Sequence, residues 1–214
     1  MNLGNRSDQP DADGPRNLAD AIRVAADSSS AGLGVMVVFD GKVLCAVDAT
    51  KVHSSRTTGF DSSGFGPLGE VDDGSVLIVR RPPSYPRLRG QGIETRVDLL
   101  PLTMGADERL FEAAIASGAK GIVLEGFGRG NGTPKIVEAV SRATAQSIPT
   151  LVTSRCPQGR VLPLYADGGG RDLEDAGAIL AGRLQGPKAR ILLSLALANG
   201  YHDDLAKLCA KLGR

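Results

Sequence analysis

Residues 121–154 read GIVLEGFGRGNGTPKIVEAVSRATAQSIPTLVTS, and this stretch decides the fold. The runs 121–127 and 148–154 predict buried strands, because they are rich in Val, Ile and Leu and are bounded by Gly or Pro. Between them, apolar residues recur at the spacing of one helix face, which predicts a helix over 134–146. A strand, a helix and a second strand in this order indicate a βαβ unit with parallel strands.

The same alternation continues on both sides of this unit. Upstream, VDLLPL (97–102) predicts a strand and residues 106–117 predict a helix. Downstream, DLEDAGAILAGRL (172–184) and GPKARILLSLALANG (186–200) each predict a helix. Because short strands alternate with helices of about a dozen residues, we predict an α/β domain with a parallel sheet over 97–214.

The chain before this domain has a different pattern. RNLADAIRVAAD (16–27) predicts a helix, since its apolar residues share one face and a proline precedes them near the first helical position. That apolar face consists of Leu18, Ala21, Ile22 and Ala25. Two apolar runs then flank Asp40-Gly41, a dipeptide that favours a type I′ hairpin turn.

A linker separates the two parts. SVLIVRR (75–81) predicts a short strand, and the following segment is rich in Pro and Gly and has no periodicity. We therefore predict a first segment over 1–81, a linker over 82–96 and a second domain over 97–214. Within the first segment, the Ser/Thr/Gly-rich stretch 54–70 predicts a structured loop.

The composition of the 214 residues excludes several classes of partner. The formal net charge is +1, with acids and bases interspersed, so we expect neither a nucleic-acid partner nor a membrane partner. The longest apolar runs, such as 190–198, are too short to span a bilayer. The polar N-terminal stretch has no apolar core of a secretory signal, which makes a cytoplasmic location the expectation.

The three cysteines indicate neither a metal site nor a disulfide. Cys45, Cys156 and Cys209 are well separated and lack CxxC spacing, so reduced, partly buried thiols are expected. As a nucleophile, Cys156 has no visible His partner. His53 and His202 are too far apart in sequence to suggest a pair of ligands.

The glycine-dense stretch GFGRGNG (126–132) is the strongest candidate for binding, because it connects a predicted strand to a predicted helix. In an open α/β sheet such loops lie at the carboxyl edge, where ligands bind. Glycines let the backbone approach a ligand closely, and Asn131 offers both a donor and an acceptor. The alternatives are a plain strand-to-helix turn and a ligand loop. The spacing does not match the GxGxxG nucleotide signature.

Two further loops contain reactive side chains. SRCPQGRVLPLYADGGG (154–170) holds Arg155, Arg160 and Tyr165, and Ser154-Arg155 at a strand end suggests either an anion site or a structural loop. In DATKVHSSRTT (48–58), Thr57 or Thr58 with Lys51, close to His53, is a possible nucleophile pair, although Ser/Thr-rich loops are common.

Several segments together resemble bacterial L-asparaginases, in the order of that family and over residues 12 to about 198. These segments are ADGPRNLADAIRVAA, GVMVVFDGKV, DATKVHSSRTTGFDSSGFGPLGEV, GIVLEGFGRGN, the SRCPQGRVLPLY run and DAGAILAGRLQGPKARILLSLALA. The resemblance implies an α/β fold: a partial N-terminal α/β segment, a linker, and a complete smaller C-terminal α/β domain with a parallel sheet.

The resemblance also implies an activity. Family members hydrolyse the side-chain amide of L-asparagine to L-aspartate and ammonia, and often that of glutamine more slowly, without a metal or organic cofactor. A threonine attacks the amide carbon, and Thr-Asp-Lys and a Tyr assist proton transfer. The site forms between subunits, and a Gly-Asn loop of the neighbour, here Gly130-Asn131, contributes to substrate binding.

The chain departs from the family at the catalytic residues. Neither TGGT nor GTDT, the motifs that carry the catalytic threonines, occurs among the 214 residues. A second acid that some members supply has only Asp167 as a nearby candidate.

We therefore expect the chain to need an N-terminal part for activity, supplied by a separate polypeptide or by an upstream reading frame. The expected partners are L-asparagine or a related small amino acid, and either further copies of the chain in a homo-oligomer or an N-terminal asparaginase fragment. The first alternative is a non-catalytic homologue that binds a small amino acid or oligomerises. The second is an independent enzyme using Cys156 or Thr57.

Overall fold

The computed structural model describes residues 12–62 and 64–213, so the polar stretch 1–11 that bears on the secretory signal lies outside the described residues. The chain divides into two compact units, one up to Tyr85 and one from Pro86 onward. Residues 82–96 contain this division and form no helix or strand. Their role as a domain linker stays a prediction.

In its described residues, the first unit combines one helix with antiparallel strands. Its elements are α1 (Gly14–Ala26), β1 (Met36–Phe39), β2 (Lys42–Cys45), β3 (Thr50–Lys51), β4 (Phe60–Asp61), β5 (Gly69–Asp72) and β6 (Ser75–Ile78). Four strands form one sheet in the order β1-β2-β5-β6, and β3 pairs with β4 in a separate ribbon. A single 3₁₀ turn, Ser28–Ser30, follows α1.

Two tight turns set the register of the four-stranded sheet. Asp40 and Gly41 have φ values of 50° and 73°, as a type I′ turn requires, so the predicted hairpin is confirmed. Asp73 and Gly74 repeat this geometry with φ values of 43° and 78° between β5 and β6. The second hairpin carries the same dipeptide but is not predicted from the sequence, since the loop predicted over 54–70 includes the first two residues of β5.

Helix α1 is present, but its apolar face is exposed. Leu18 and Ile22 are 64% and 61% exposed, whereas Asp20 and Val24 are buried. Asp20 is neutralised there by Arg23, whose guanidinium lies 2.8 Å from its carboxylate. Within this unit the helix therefore packs on β1 through the face that the apolar pattern did not indicate.

The second unit is the predicted α/β domain. Its elements are β7 (Val97–Pro101), α2 (Arg109–Ala116), β8 (Gly121–Gly126), α3 (Pro134–Ala145), β9 (Thr150–Ser154), α4 (Gly170–Asp175), β10 (Ile179–Leu180), α5 (Gly186–Ala198) and α6 (Leu205–Leu212). The strand order is β10-β9-β8-β7, and every pair is parallel. The predicted α/β class and the parallel sheet are confirmed.

The prediction of one continuous helix over 172–184 is wrong. Helix α4 ends at Asp175, and the chain reverses at Gly177, which has a φ of +98°. A residue in the left-handed conformation ends a helix, and glycine adopts this conformation without steric cost. The apolar residues that follow form β10, the fourth strand of the sheet, beside β9.

Helices cover both faces of the parallel sheet. Ile122 and Leu124 of β8 point into a core shared with α2 and α3. On the opposite face, a Cβ added at Gly121 would lie 2.8 Å from the side chain of Leu193, so glycine lets α5 pack closely on the strand. No helix in the described part of the chain is both long and apolar enough to cross a membrane.

Candidate functional site

The loop between β8 and α3 closes on itself through its backbone. The N–H of Phe127 donates to the carbonyl of Asn131 at 2.8 Å, and the N–H of Asn131 donates back to the carbonyl of Phe127 at 2.8 Å. The N–H of Gly130 donates to the same Phe127 carbonyl at 2.9 Å. The Gly130-Asn131 pair is therefore held at the carboxyl edge of the sheet by backbone hydrogen bonds.

Two positions in this loop require glycine. Gly130 is buried and has a φ of +91°, and a Cβ added there would lie 2.9 Å from Val161. A Cβ at Gly126 would lie 2.8 Å from the carbonyl oxygen of Asn131. Both glycines therefore set the shape of the turn that presents Asn131.

The half-buried side chain of Asn131 has a defined orientation. Its Oδ1 accepts the backbone N–H of Gly170 at 3.2 Å. Because a backbone N–H can only donate, the oxygen and not the nitrogen of the amide must face Gly170. No protein partner of Nδ2 is found within 12–62 and 64–213, so its two N–H groups are available to a ligand.

The loop after β9 supports the Asn131 loop. The N–H of Gly132 donates to the carbonyl of Gly168 at 2.9 Å, and the N–H of Leu162 donates to the carbonyl of Arg129 at 3.1 Å. Asp167, the sequence candidate for a second acid, is exposed beside Gly168 and has a φ of 55°. The structure thus connects the loops of Asp167 and Asn131, and a role for Asp167 stays a prediction.

Ser154 and Arg155 make contacts within the protein. Ser154 Oγ donates to the carbonyl of Gly128 at 2.5 Å and accepts the N–H of Cys156 at 3.0 Å. The Arg155 guanidinium donates to the carbonyl of Leu102 at 2.7 Å and lies 5.8 Å from the centre of the Phe127 ring. Of the two alternatives that the sequence left open, this geometry favours the structural loop over an anion site at these residues.

Glu125, at the end of β8, is a titratable residue that the sequence pattern did not single out. Its half-buried carboxylate accepts the N–H of Gly186 at the start of α5. Burial raises the pKa of Glu125, and the Gly186 N–H and the Arg155 charge partly offset this rise. The sequence feature that could have identified Glu125 is its position as a single acid inside the apolar run GIVLEGF.

The candidate residues of loop 48–58 lie in the first unit. His53 Nδ1 accepts the N–H groups of Ser55 at 3.2 Å and of Arg56 at 3.1 Å, which shapes a turn. The ammonium of Lys51 lies 5.5 Å from the centre of the Phe60 ring. These contacts stabilise the β3–β4 ribbon. Thr57 or Thr58 as a nucleophile stays a hypothesis.

The cysteines differ in accessibility. Cys45 and Cys209 are buried, Cys156 is exposed, and all three are free thiols. Burial raises the pKa of the Cys209 thiol to about 12, so this thiol stays protonated and unreactive at neutral pH. Within the described ranges, no three His, Cys, Asp or Glu side chains are grouped so as to hold a metal ion.

A parallel sheet with helices on both faces and a glycine loop at its carboxyl edge defines this chain as an α/β protein with the ligand-binding edge typical of that class. Residues 96–208 match the family model of the glutaminase/asparaginase C-terminal domain. Residues 5–84 match the model of the asparaginase N-terminal domain. The chain belongs to the glutaminase/asparaginase family.

Individual relatives agree with the family models. A probable L-asparaginase of Deinococcus radiodurans is 36% identical over 92% of this chain and 61% of its own length. The L-asparaginase of Bacillus licheniformis is 30% identical over 94% of this chain and 63% of its own length. A glutamyl-tRNA(Gln) amidotransferase subunit of Methanosarcina acetivorans is 32% identical over 96% of this chain and 50% of its own length. The chain thus spans about half to three fifths of the length of these curated relatives.

Proposed function

We propose that this chain carries a substrate-binding loop of an asparaginase-type amide hydrolase, in which Asn131 donates a hydrogen bond to L-asparagine. The observation that carries the proposal is the orientation of the Asn131 side chain. Its Oδ1 is occupied by the Gly170 N–H, and no partner of Nδ2 is found in the described part of the chain. An amide nitrogen in this state suits a carboxylate or carbonyl oxygen of an amino acid.

The proposed reaction is hydrolysis of the side-chain amide to L-aspartate and ammonia. A threonine hydroxyl attacks such an amide only when a base lies beside it. Because neither TGGT nor GTDT occurs in the 214 residues, we propose that the catalytic threonines come from outside this sequence. An upstream part of a longer protein, or a separate N-terminal asparaginase fragment, supplies them across the subunits of an oligomer.

The test compares this chain with an extended protein. We expect the purified 214-residue chain to release no ammonia from L-asparagine. The same protein, extended by upstream coding sequence that contains the TGGT and GTDT segments, is expected to hydrolyse it. In that active protein, Asn131→Asp keeps an oxygen for the Gly170 N–H but removes the Nδ2 donor, and we expect kcat/KM to fall about tenfold or more.

Two results would contradict the proposal. The first is turnover by the 214-residue chain that survives repurification. The second is an unchanged kcat/KM for Asn131→Asp in the active protein. Gln146→Glu is the matched control, because it makes the same change from amide to acid on an exposed residue away from the loop.

A second candidate is a non-catalytic homologue that binds a small amino acid or oligomerises. The absence of both threonine motifs from the sequence favours it equally. Upstream DNA without these motifs, together with asparagine binding by the chain itself, would favour this candidate. A cytoplasmic location stays a proposal, to be tested by cell fractionation, since one relative is named a probable periplasmic L-asparaginase of Haemophilus influenzae.

A further inference from the structure

The glycine turn that leads into α4 lies against the Asn131 loop. The N–H of Gly170 donates to Asn131 Oδ1 at 3.2 Å. The carbonyl of Gly168, in the same turn, accepts the N–H of Gly132 at 2.9 Å. A Cβ added at Gly168 would lie 2.5 Å from the carbonyl carbon of Thr133, so the two backbones are in direct contact. The position of the Gly170 N–H, and with it the Asn131 hydrogen bond, therefore depends on how firmly this turn is held.

Asp172 holds the turn from the first turn of α4. Its half-buried side chain accepts the N–H of Gly168 on Oδ2 at 2.8 Å. Hydrogen bonds to a carboxylate are roughly twice as strong as those between neutral groups. Both hydrogen-bonding groups of the Gly168 backbone are thus occupied, the N–H by Asp172 and the carbonyl by Gly132. Gly168 therefore links Asp172 to the segment that carries Asn131.

We propose that Asp172 is a positioning residue for asparagine binding, which fixes Gly168 and thereby keeps the Gly170 N–H against Asn131 Oδ1. The amide oxygen then stays occupied, and Nδ2 stays available to the substrate. If the amide turned over, it would present its oxygen to the substrate, and the apparent affinity falls with the fraction of molecules in the competent orientation. This role rests on the proposed function of Asn131, and it adds the group that maintains the orientation of that side chain.

The first test measures hydrogen exchange of single amides by NMR in the 214-residue chain, without substrate. We expect Asp172→Ala to speed exchange at both Gly168 and Gly170 about fivefold or more, because the turn loses its acceptor. Asp172→Asn keeps an oxygen for the Gly168 N–H and should restore most of the protection. Since both variants remove the charge, their comparison isolates the loss of the acceptor.

Asp175→Ala is the matched control for the exchange measurement. Asp175 is an exposed aspartate on the same helix, so its removal should leave the exchange of Gly168 and Gly170 unchanged. Exchange at Gly170 that Asp172→Ala leaves at the wild-type rate would overturn the proposal. This result would not bear on the proposed contact between Asn131 and the substrate, because no substrate is present.

The second test is a double-mutant cycle on kcat/KM for L-asparagine in the active extended protein. We expect Asp172→Ala alone to lower kcat/KM about fivefold. In the Asn131→Asp background it should have little further effect, because a carboxylate presents an oxygen in either orientation and has no Nδ2 to direct. A role of Asp172 in folding alone would lower kcat/KM equally in both backgrounds, and that outcome would overturn the proposal. An unchanged kcat/KM for Asn131→Asp would instead contradict the proposed function itself.

Discussion

Two separate constraints require glycine at position 130. Its φ of +91° is a conformation that side-chain-bearing residues rarely adopt, and a Cβ would lie 2.9 Å from Val161. Gly128, two residues earlier, has a φ of +48° but open space where a Cβ would be placed. A substitution at Gly128 therefore introduces backbone strain alone, whereas a substitution at Gly130 introduces both backbone strain and steric overlap.

We expect Gly130→Ala to lower the free energy of unfolding by about 2–4 kcal/mol, because it adds overlap in a packed region to the backbone strain. Gly128→Ala is the matched control, and its cost of about 1 kcal/mol arises from strain alone. Urea unfolding followed by circular dichroism measures both values. Equal losses for the two variants would show that Val161 moves aside.

At the scale of elements, Glu125 joins a strand to a helix. The carboxylate at the end of β8 accepts the N–H of Gly186 at the start of α5, where the helix dipole favours negative charge. Burial nevertheless dominates and raises the pKa of Glu125 above its ordinary value of 4.5. The charged form is therefore less stable in the folded chain than in the unfolded chain.

This raised pKa has a consequence for the pH dependence of stability. The folded state binds the proton more tightly, so the contribution of Glu125 is most favourable at low pH and declines as the pH rises from 4.5 through the raised pKa. We expect Glu125→Gln, which keeps an oxygen for Gly186, to be more stable than the wild-type chain above this range and to lose the advantage below it. Chemical unfolding between pH 4 and pH 8 tests this, and the exposed Glu174→Gln controls for the loss of one charge. A constant difference across the range would contradict it.

The elements show how far the sequence predicts this fold. Strands β8 and β9 and helix α3 follow from periodicity, because their apolar residues are the ones buried in the core. The apolar spacing over 172–184 also fits a helix, and the outcome depends on Gly177, where a Cβ would lie 2.6 Å from Thr144. This contact is tertiary, and β10 has only two residues, so a pattern within one segment could not reveal either.

The sequence also predicts part of the candidate site. The position of Asn131 at the carboxyl edge follows from a glycine-rich loop between a strand and a helix. The hydrogen bond to Gly170 joins residues 39 positions apart. The sequence alone therefore could not show that Oδ1 is occupied and that Nδ2 has no partner among the described residues.

At the scale of the whole molecule, the exposed face of α1 bears on assembly. Leu18 and Ile22 lie one turn apart, at 64% and 61% exposure, on a helix whose buried residues are Asp20 and Val24. Two exposed apolar side chains one turn apart form a small apolar surface that another protein segment could cover. In the active enzyme that we propose, residues outside this sequence or another subunit cover such a surface.

We therefore expect the 214-residue chain to associate with further copies of itself through this face of α1. Multi-angle light scattering after size-exclusion chromatography should give a mass above the 22.2 kDa of one chain, and Leu18→Lys/Ile22→Lys should shift the mass toward one chain.

Leu110→Lys is the control, because Leu110 is 68% exposed on a helix of the second unit. A clean monomer for the unmodified chain would contradict the expectation. Dissociation by Leu110→Lys but not by the α1 variant would place the contact on the second unit instead, since each substitution adds charge to an apolar surface of similar exposure.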